Sequence, residues 1–239
     1  VLYVKLFKIL TWQGRGKEIA MRKFLIFFVP LFFFGCSANN LQQKICTVKI
    51  THISEGCKLV DAPESKAGVF LAQVSTGQEQ YSRTASNSLA RVLKNSGNDL
   101  KILSFSELAN EINKKEIWQE YSTAVSFYKE NGMLRKSDLQ FIGEKLDLDY
   151  FIMPLVLDIK RWDVNRFSAV GVKLLNTHKI CIVVTMEIWD SKAINIFSAT
   201  SDITIADERI KETPISIEDA FDQAWLAILQ QLKAGNKKL

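Results

Sequence analysis

Cysteine, histidine and paired carboxylates are the side chains best suited to chemistry, and this sequence brings few of them together. Its 239 residues hold four cysteines and two histidines. His52 and His178 lie far apart in the chain. No Cys-x-x-Cys and no mixed Cys/His cluster has the spacing of a zinc site, so neither metal nor cofactor is expected. A Ser–His–Asp set needs a histidine that meets a serine and an acid. His52 falls in a segment outside the main domain, His178 opens a strand, and Gly-x-Ser-x-Gly is absent. Two carboxylates, Asp147 and Asp149 in "DLD", could in principle act as a glycosidase pair. They stand at a helix end, where acids cap or are solvated. "STGQEQ", residues 75–80, follows a strand where many α/β folds hold phosphate, but it lacks Gly-x-x-x-x-Gly-Lys-Ser/Thr and reads as a turn. The expectation is a protein that is not an enzyme.

The cysteine with the clearest context is Cys36. It closes "FLIFFVPLFFFG", residues 24–35, which follows Met21, Arg22 and Lys23. Twelve apolar or small residues are too few to span a bilayer, which takes about 20. A basic start and a short apolar run have the shape of a secretory signal. With glycine before the cysteine, residues 21–35 resemble the signal peptide of a bacterial lipoprotein. Cys36 is then the lipidated first residue of the mature chain and its link to the membrane. Phe33 and Phe34 depart from the Leu and small residue usual at those places. An ordinary cleaved signal, an uncleaved anchor or a core helix are the other readings. Residues 1–20 precede the first methionine and read as a translated leader that is not part of the native protein; the other reading is a long basic start of the signal itself.

The formal charge is +5. Residues 1–35 hold six of the 31 Lys and Arg and one of the 26 Asp and Glu, which leaves 25 of each sign beyond them. A neutral mature chain gives no reason to expect nucleic acid as a partner. Export would put the remaining cysteines where disulfides persist. Cys46 and Cys57 flank a short segment and could bridge. The other reading is two unpaired thiols. Cys181 in "KICIVV" reads as a small buried apolar residue.

The elements follow from periodicity. Residues 36–66 read as lipidated cysteine and tether: "SANNLQQK" (37–44) has no period, and "TVKITHI" (47–53) is a short strand. An α/β domain is expected over 67–235. "GVFLAQV" and "LKILSF" are its first strands. Tyr81, Ala85, Leu89 and Val92 mark a helix ended by Gly97. Ser104 with Glu107 and Ser137 with Gln140 are capping boxes for two more helices. Between them Ile117, Tyr121, Val125 and Tyr128 mark a helix stopped at Asn131–Gly132. Residues 149–162, 177–190 and 193–206 are long β-rich strands, the last two joined by a hairpin at Asp190–Lys192. Pro154 predicts a bulge or edge. "DVNRFSAVGVKLLN" (163–176) is the loop joining the first two. Ile217, Ala220, Phe221, Ala224, Trp225, Ile228 and Leu232 form the stripe of a last helix, capped by Ser216 and Asp219, that packs on the sheet. The fold class is α/β: a mixed sheet packed with helices, early strands joined by helical crossovers, and a late three-stranded antiparallel part.

This layout is similar to that of bacterial envelope lipoproteins whose domain resembles the CsgG periplasmic domain, LpoB and the TolB N-terminal domain. The resemblance covers about residues 66–233 and rests on "GVFLAQV", "LQFIGEKLDLDYFIMPLV" and "VVTMEIWDSKAINIFSAT". Leu139, Ile142, Gly143, Leu146, Asp149 and Tyr150 fit the middle signature, and Trp189–Asp190 the hairpin. Asp147 and Ala193 stand where the family prefers glycine. The resemblance implies a lipid-anchored binding or assembly module that faces the periplasm from the outer membrane. Its partner would be another envelope protein or a second copy. The expected partner surface is the loop after the first late strand, where Trp162 and Phe167 lie among Arg161 and Arg166, since aromatic and Arg residues are favoured at hot spots. An envelope hydrolase and a CsgG-like secretion component are the alternatives. The loop is too short for two membrane strands of about 9–11 residues, which argues against a pore.

Overall fold

A computed structural model describes residues 41–54, 64–97, 100–169, 172–209 and 215–236. Among these, side chains are described except for 41–42, 165–169, 172–176, 207–209 and 235–236. The elements are β1 (Leu41–Ile53), β2 (Lys66–Val69), β3 (Gln73–Val74), a 3-10 turn (Glu79–Tyr81), α1 (Ser82–Asn95), β4 (Lys101–Leu103), α2 (Phe105–Lys114), α3 (Trp118–Asn131), α4 (Lys136–Leu146), β5 (Tyr150–Ala169), β6 (Val172–Asp190), β7 (Asn195–Arg209) and α5 (Ile217–Asn236). The strands form one mixed sheet in the order β1-β7-β6-β5-β2-β4, with β3 also on β5. β2 pairs in parallel with β4 and β5, across helical crossovers. β5, β6 and β7 are antiparallel neighbours. The fold class is the one expected.

Two cores follow from the period-2 pattern of the strands. Ile180, Ile182, Val184, Met186 and Ile188 of β6 point to one face with Phe197, Ala199, Ile203 and Ile205 of β7. α1 and α5 close that face through Leu89, Leu93, Phe221 and Trp225, all buried. Burying a side chain of this size contributes roughly 1.5–3 kcal/mol. The opposite face meets α2, α3 and α4 through Phe70, Phe151, Met153 and Trp189. The α5 stripe is buried from Ala220 through Leu232. The Ser104 box forms in full, and Ser216 Oγ accepts from Asp219 N–H at 3.4 Å. Among the described residues, no helix is long and apolar enough to cross a membrane.

Four expectations are corrected. The segment 163–176 is not a loop: β5 and β6 stay paired to Ala169↔Val172, with bulges near Asn165–Ser168. Its mixed polar and apolar residues show no alternation, and cross-strand pairing rather than local propensity makes it a strand. Ser137 is no cap. α4 already starts at Lys136 behind an extended Arg135, and Ser137 Oγ donates to Asp138. Pro154 lies neither on an edge nor in a bulge: it pairs with Met186 in register, and the bulge in this part of β5 falls two residues later, between Val156 and Asp158. Ile152 O accepts from Phe70 N–H and Val156 O from Ser75 N–H, so even residues of β5 face β2 and β3. The missing N–H of Pro154 therefore falls at the gap between β2 and β3, where no ladder bond is lost. Finally, β1 starts at Leu41, so part of the segment read as tether is sheet.

Candidate binding surface

The face covered by α2–α4 is only partly covered. Moving along β6 from Trp189, that face carries Glu187, Thr185, Val183, Cys181 and Lys179. Their partners are Met153, Leu155, Asp158, Lys160 and Trp162 on β5, and Ser198, Thr200, Asp202, Thr204 and Ala206 on β7. Residues directly opposite share a face. The helical layer still covers Met153 beside Glu187, and Leu155 packs at its margin; beyond the Thr185 row the side chains on this face turn more polar and more exposed.

Glu187 marks the boundary. Its Oε2 accepts from Tyr128 Oη of α3 at 2.9 Å and from Trp189 Nε1 at 3.1 Å. Burial raises its pKa, against the lowering effect of the two donors. Tyr128 is also raised, first by burial and then by the neighbouring Glu187 charge. Both shifts are upward: the Tyr128 phenol is held neutral as the donor, and burial works against the Glu187 charge that its two donors support. The next row is satisfied internally: Thr185 Oγ1 and Thr200 Oγ1 are 2.8 Å apart, and Thr51 Oγ1 of β1 donates to Ser198 Oγ at 2.9 Å. Farther along, Lys160 Nζ sits 2.5 Å from Asp158 Oδ2, and Asp158 holds the Lys160 pKa up. Trp162 then lies 40 % exposed on this polar face beside Lys179.

The structure separates the residues expected to act together. Arg161 and Trp162 are consecutive in β5, so they point to opposite faces. Arg161 Nη2 donates to Ile215 O at 3.5 Å, at the approach to α5. Arg166 and Phe167 lie on β5 beyond the described side chains. Cys36 and Cys57 lie outside the described residues. Cys46 is an exposed free thiol, its Sγ 3.7 Å from Ser201 Oγ. Cys181 is half-buried rather than fully buried and donates to Asp202 at 3.7 Å; burial raises its pKa. His178 pairs with Asp163 at 2.7 Å.

A second concavity of about 270 Å³ is lined by Gln140, Gly143, Glu144, Asp147, Asp149 and Ser191. Here "DLD" has structural work. Asp147 ends α4 in the left-handed region (φ 55°) and pairs with Lys66 Nζ at 2.8 Å, while Asp149 Oδ2 accepts from Lys66 N–H at 2.9 Å. Among the described residues, no group of three or more His, Cys, Asp or Glu could hold a metal ion. The open face was missed from sequence, although a signal existed: "SATSD" alternates Ser198, Thr200 and Asp202 with Ala199 and Ser201.

No protein-family model matches the sequence, and no curated protein matches it. Solved structures to which the chain is similar include a variant of the PelC dodecamer from Paraburkholderia phytofirmans. It is 13% identical, covers 77% of this chain and 96% of that one, and has a TM-score of 0.43. Lipoprotein GNA1162 from Neisseria meningitidis is 10% identical over 71% of this chain and 99% of that one, at 0.35. A homolog of neuraminyllactose-binding hemagglutinin from Helicobacter pylori is 15% identical over 76% and 88%, also at 0.35. At that level of likeness none of them passes a role to this chain.

Proposed function

We propose that the protein is a non-enzymatic binding or assembly module of the bacterial envelope. Lipid on Cys36 anchors it to the outer membrane, and it faces the periplasm, as the resemblance to the CsgG, LpoB and TolB N-terminal group implies. It presents the open face of β5–β7 to another envelope protein or to a second copy. The observation that carries this reading is Trp162, 40 % exposed on a part of the sheet face that, among the described residues, no helix covers. An exposed indole is the side chain most often found at the centre of an interface hot spot.

The test is a photo-crosslinking residue at Trp162 in the host, compared with the same residue at Leu226, exposed on α5 across the sheet. Discrete adducts at position 162 and none at 226 are expected. Equal or absent labelling at both positions, together with turnover of envelope polymers by the purified protein, would replace this reading with the hydrolase.

A further inference from the structure

β1 ends the sheet on one side. It has β7 as one neighbour and, among the described residues, no strand on its other side. The N–H and C=O groups that point away from β7 are therefore left without ladder partners. The opposite edge is short, because β4 runs only over Lys101–Leu103. β1 is long, and from Gln43 to Ile53 it contains neither proline nor glycine. An edge of this kind is a template for one more strand.

Contacts fix which way its side chains point. Val48 and Ile50 pack on the core beneath α1 and α5, and Cys46 Sγ lies 3.7 Å from Ser201 Oγ, buried on that same face. Thr51 Oγ1 donates to Ser198 Oγ on the open face. By alternation Ile45, Thr47 and Lys49 stand on the open-face side and Lys44 on the other. Ile45 is 70 % exposed, more than any other large apolar residue described. Lys44 and Lys49 are exposed and make no ion pair among the described residues, and Asp202 of β7 accepts from Cys181. No acidic residue occurs from Leu41 through Ser54. A second copy suits this edge badly. Two β1 strands side by side would bring together the lysines of both with no carboxylate between them, and like charges across strands repel.

We infer that the outer edge of β1 is a docking site for an extended, acidic segment of another protein, which joins the sheet as a further strand. Main-chain hydrogen bonds supply the pairing. Carboxylates of the segment meet Lys49 on the open-face side and Lys44 on the other, and an apolar residue covers Ile45. Trp162 lies on β5, beyond β7 and β6. The edge site therefore depends neither on that indole nor on lipid at Cys36.

The experiment uses the full-length protein purified from its host in detergent, and a fluorescein-labelled synthetic peptide of threonine, valine and glutamate long enough to line the edge. One control peptide carries lysine in place of glutamate, and another carries proline at its centre. Anisotropy is expected to show saturable binding of the glutamate peptide that weakens as salt rises, and little binding of either control. The variant K44E/K49E is expected to exchange the preference: it loses affinity for the glutamate peptide by roughly fivefold or more and gains a similar factor for the lysine peptide. That gain also shows the variant to be folded. Binding that tolerates the proline, or that K44E/K49E leaves unchanged, places the peptide elsewhere and overturns the proposal. Absence of saturable binding overturns it as well, and wild-type dimers that K44E/K49E dissociates would then assign the edge to a second copy.

Discussion

Replacing Tyr128 with phenylalanine removes one oxygen and leaves the ring in its place between α3 and the sheet. The lost hydroxyl donates to Glu187, which is half-buried and keeps its second donor, Trp189 Nε1. A hydrogen bond to a charged group contributes about 1.5–3 kcal/mol. The remaining donor and partial exposure put this one at the lower end, near 1.5 kcal/mol. The sign of its pH dependence is fixed. Burial raises the Glu187 pKa above its ordinary 4.5, and the two donors lower it. Removing Tyr128 Oη raises it further. The difference between native and variant is therefore full where Glu187 is ionised in both, and shrinks as pH falls through the variant's value and then the native one. Urea unfolding of both proteins at about pH 7 and about pH 4 should give a loss of roughly 1.5 kcal/mol that falls to about 0.5 kcal/mol, the worth of a weak neutral bond. A loss equal at both pH values would show that Glu187 is not the ionised acceptor, and would remove the argument that a charge marks the edge of the helical layer.

Two further outcomes follow from local geometry. Ala193 holds φ +60° in the β6–β7 hairpin, so Ala193→Gly should stabilise the protein by about 1 kcal/mol, read from the urea midpoint. The Glu107 carboxyl is held at about 2 by Lys94 and then by Ser104, and is half exposed, so its stabilisation is about 1 kcal/mol after solvent screening. That stability is present above about 4.5 and is lost as pH falls toward 2; melting temperatures of Glu107→Gln should lack this part of the acid decline.

Legibility divided along the range of the interactions. The α5 stripe, the Ser104–Glu107 box and the hairpin at Asp190 are written within a few residues, and all three stand in the structure. Asp147 and Ala193, where the sequence resemblance led to an expectation of glycine, both have left-handed backbone (φ 55° and 60°). What was not legible depends on partners distant in sequence. Tyr128 reads correctly as a core position of α3, yet its hydroxyl meets a carboxylate 59 residues on. The ribbon at 163–176 is a strand only because each half supplies the other's ladder. The surface expected from Arg161 and Trp162 together dissolves once both are in a strand, since adjacent residues there cannot share a face.

The same alternation decides where the open face can gain binding energy. Glu187 has its donors, Thr185 and Thr200 have each other, Ser198 has Thr51, and Lys160 has Asp158. A partner that covered these groups would have to desolvate polar atoms already in use, and would gain little from them. Trp162 differs, because its exposed ring offers apolar area with no bond to surrender. Affinity on this face therefore concentrates at one indole near the ribbon end, while the hydroxyl rows set which polar surface can lie beside it without loss. A docking site built this way would discriminate by what it would leave unpaired, and would bind through the indole exposed beside those rows.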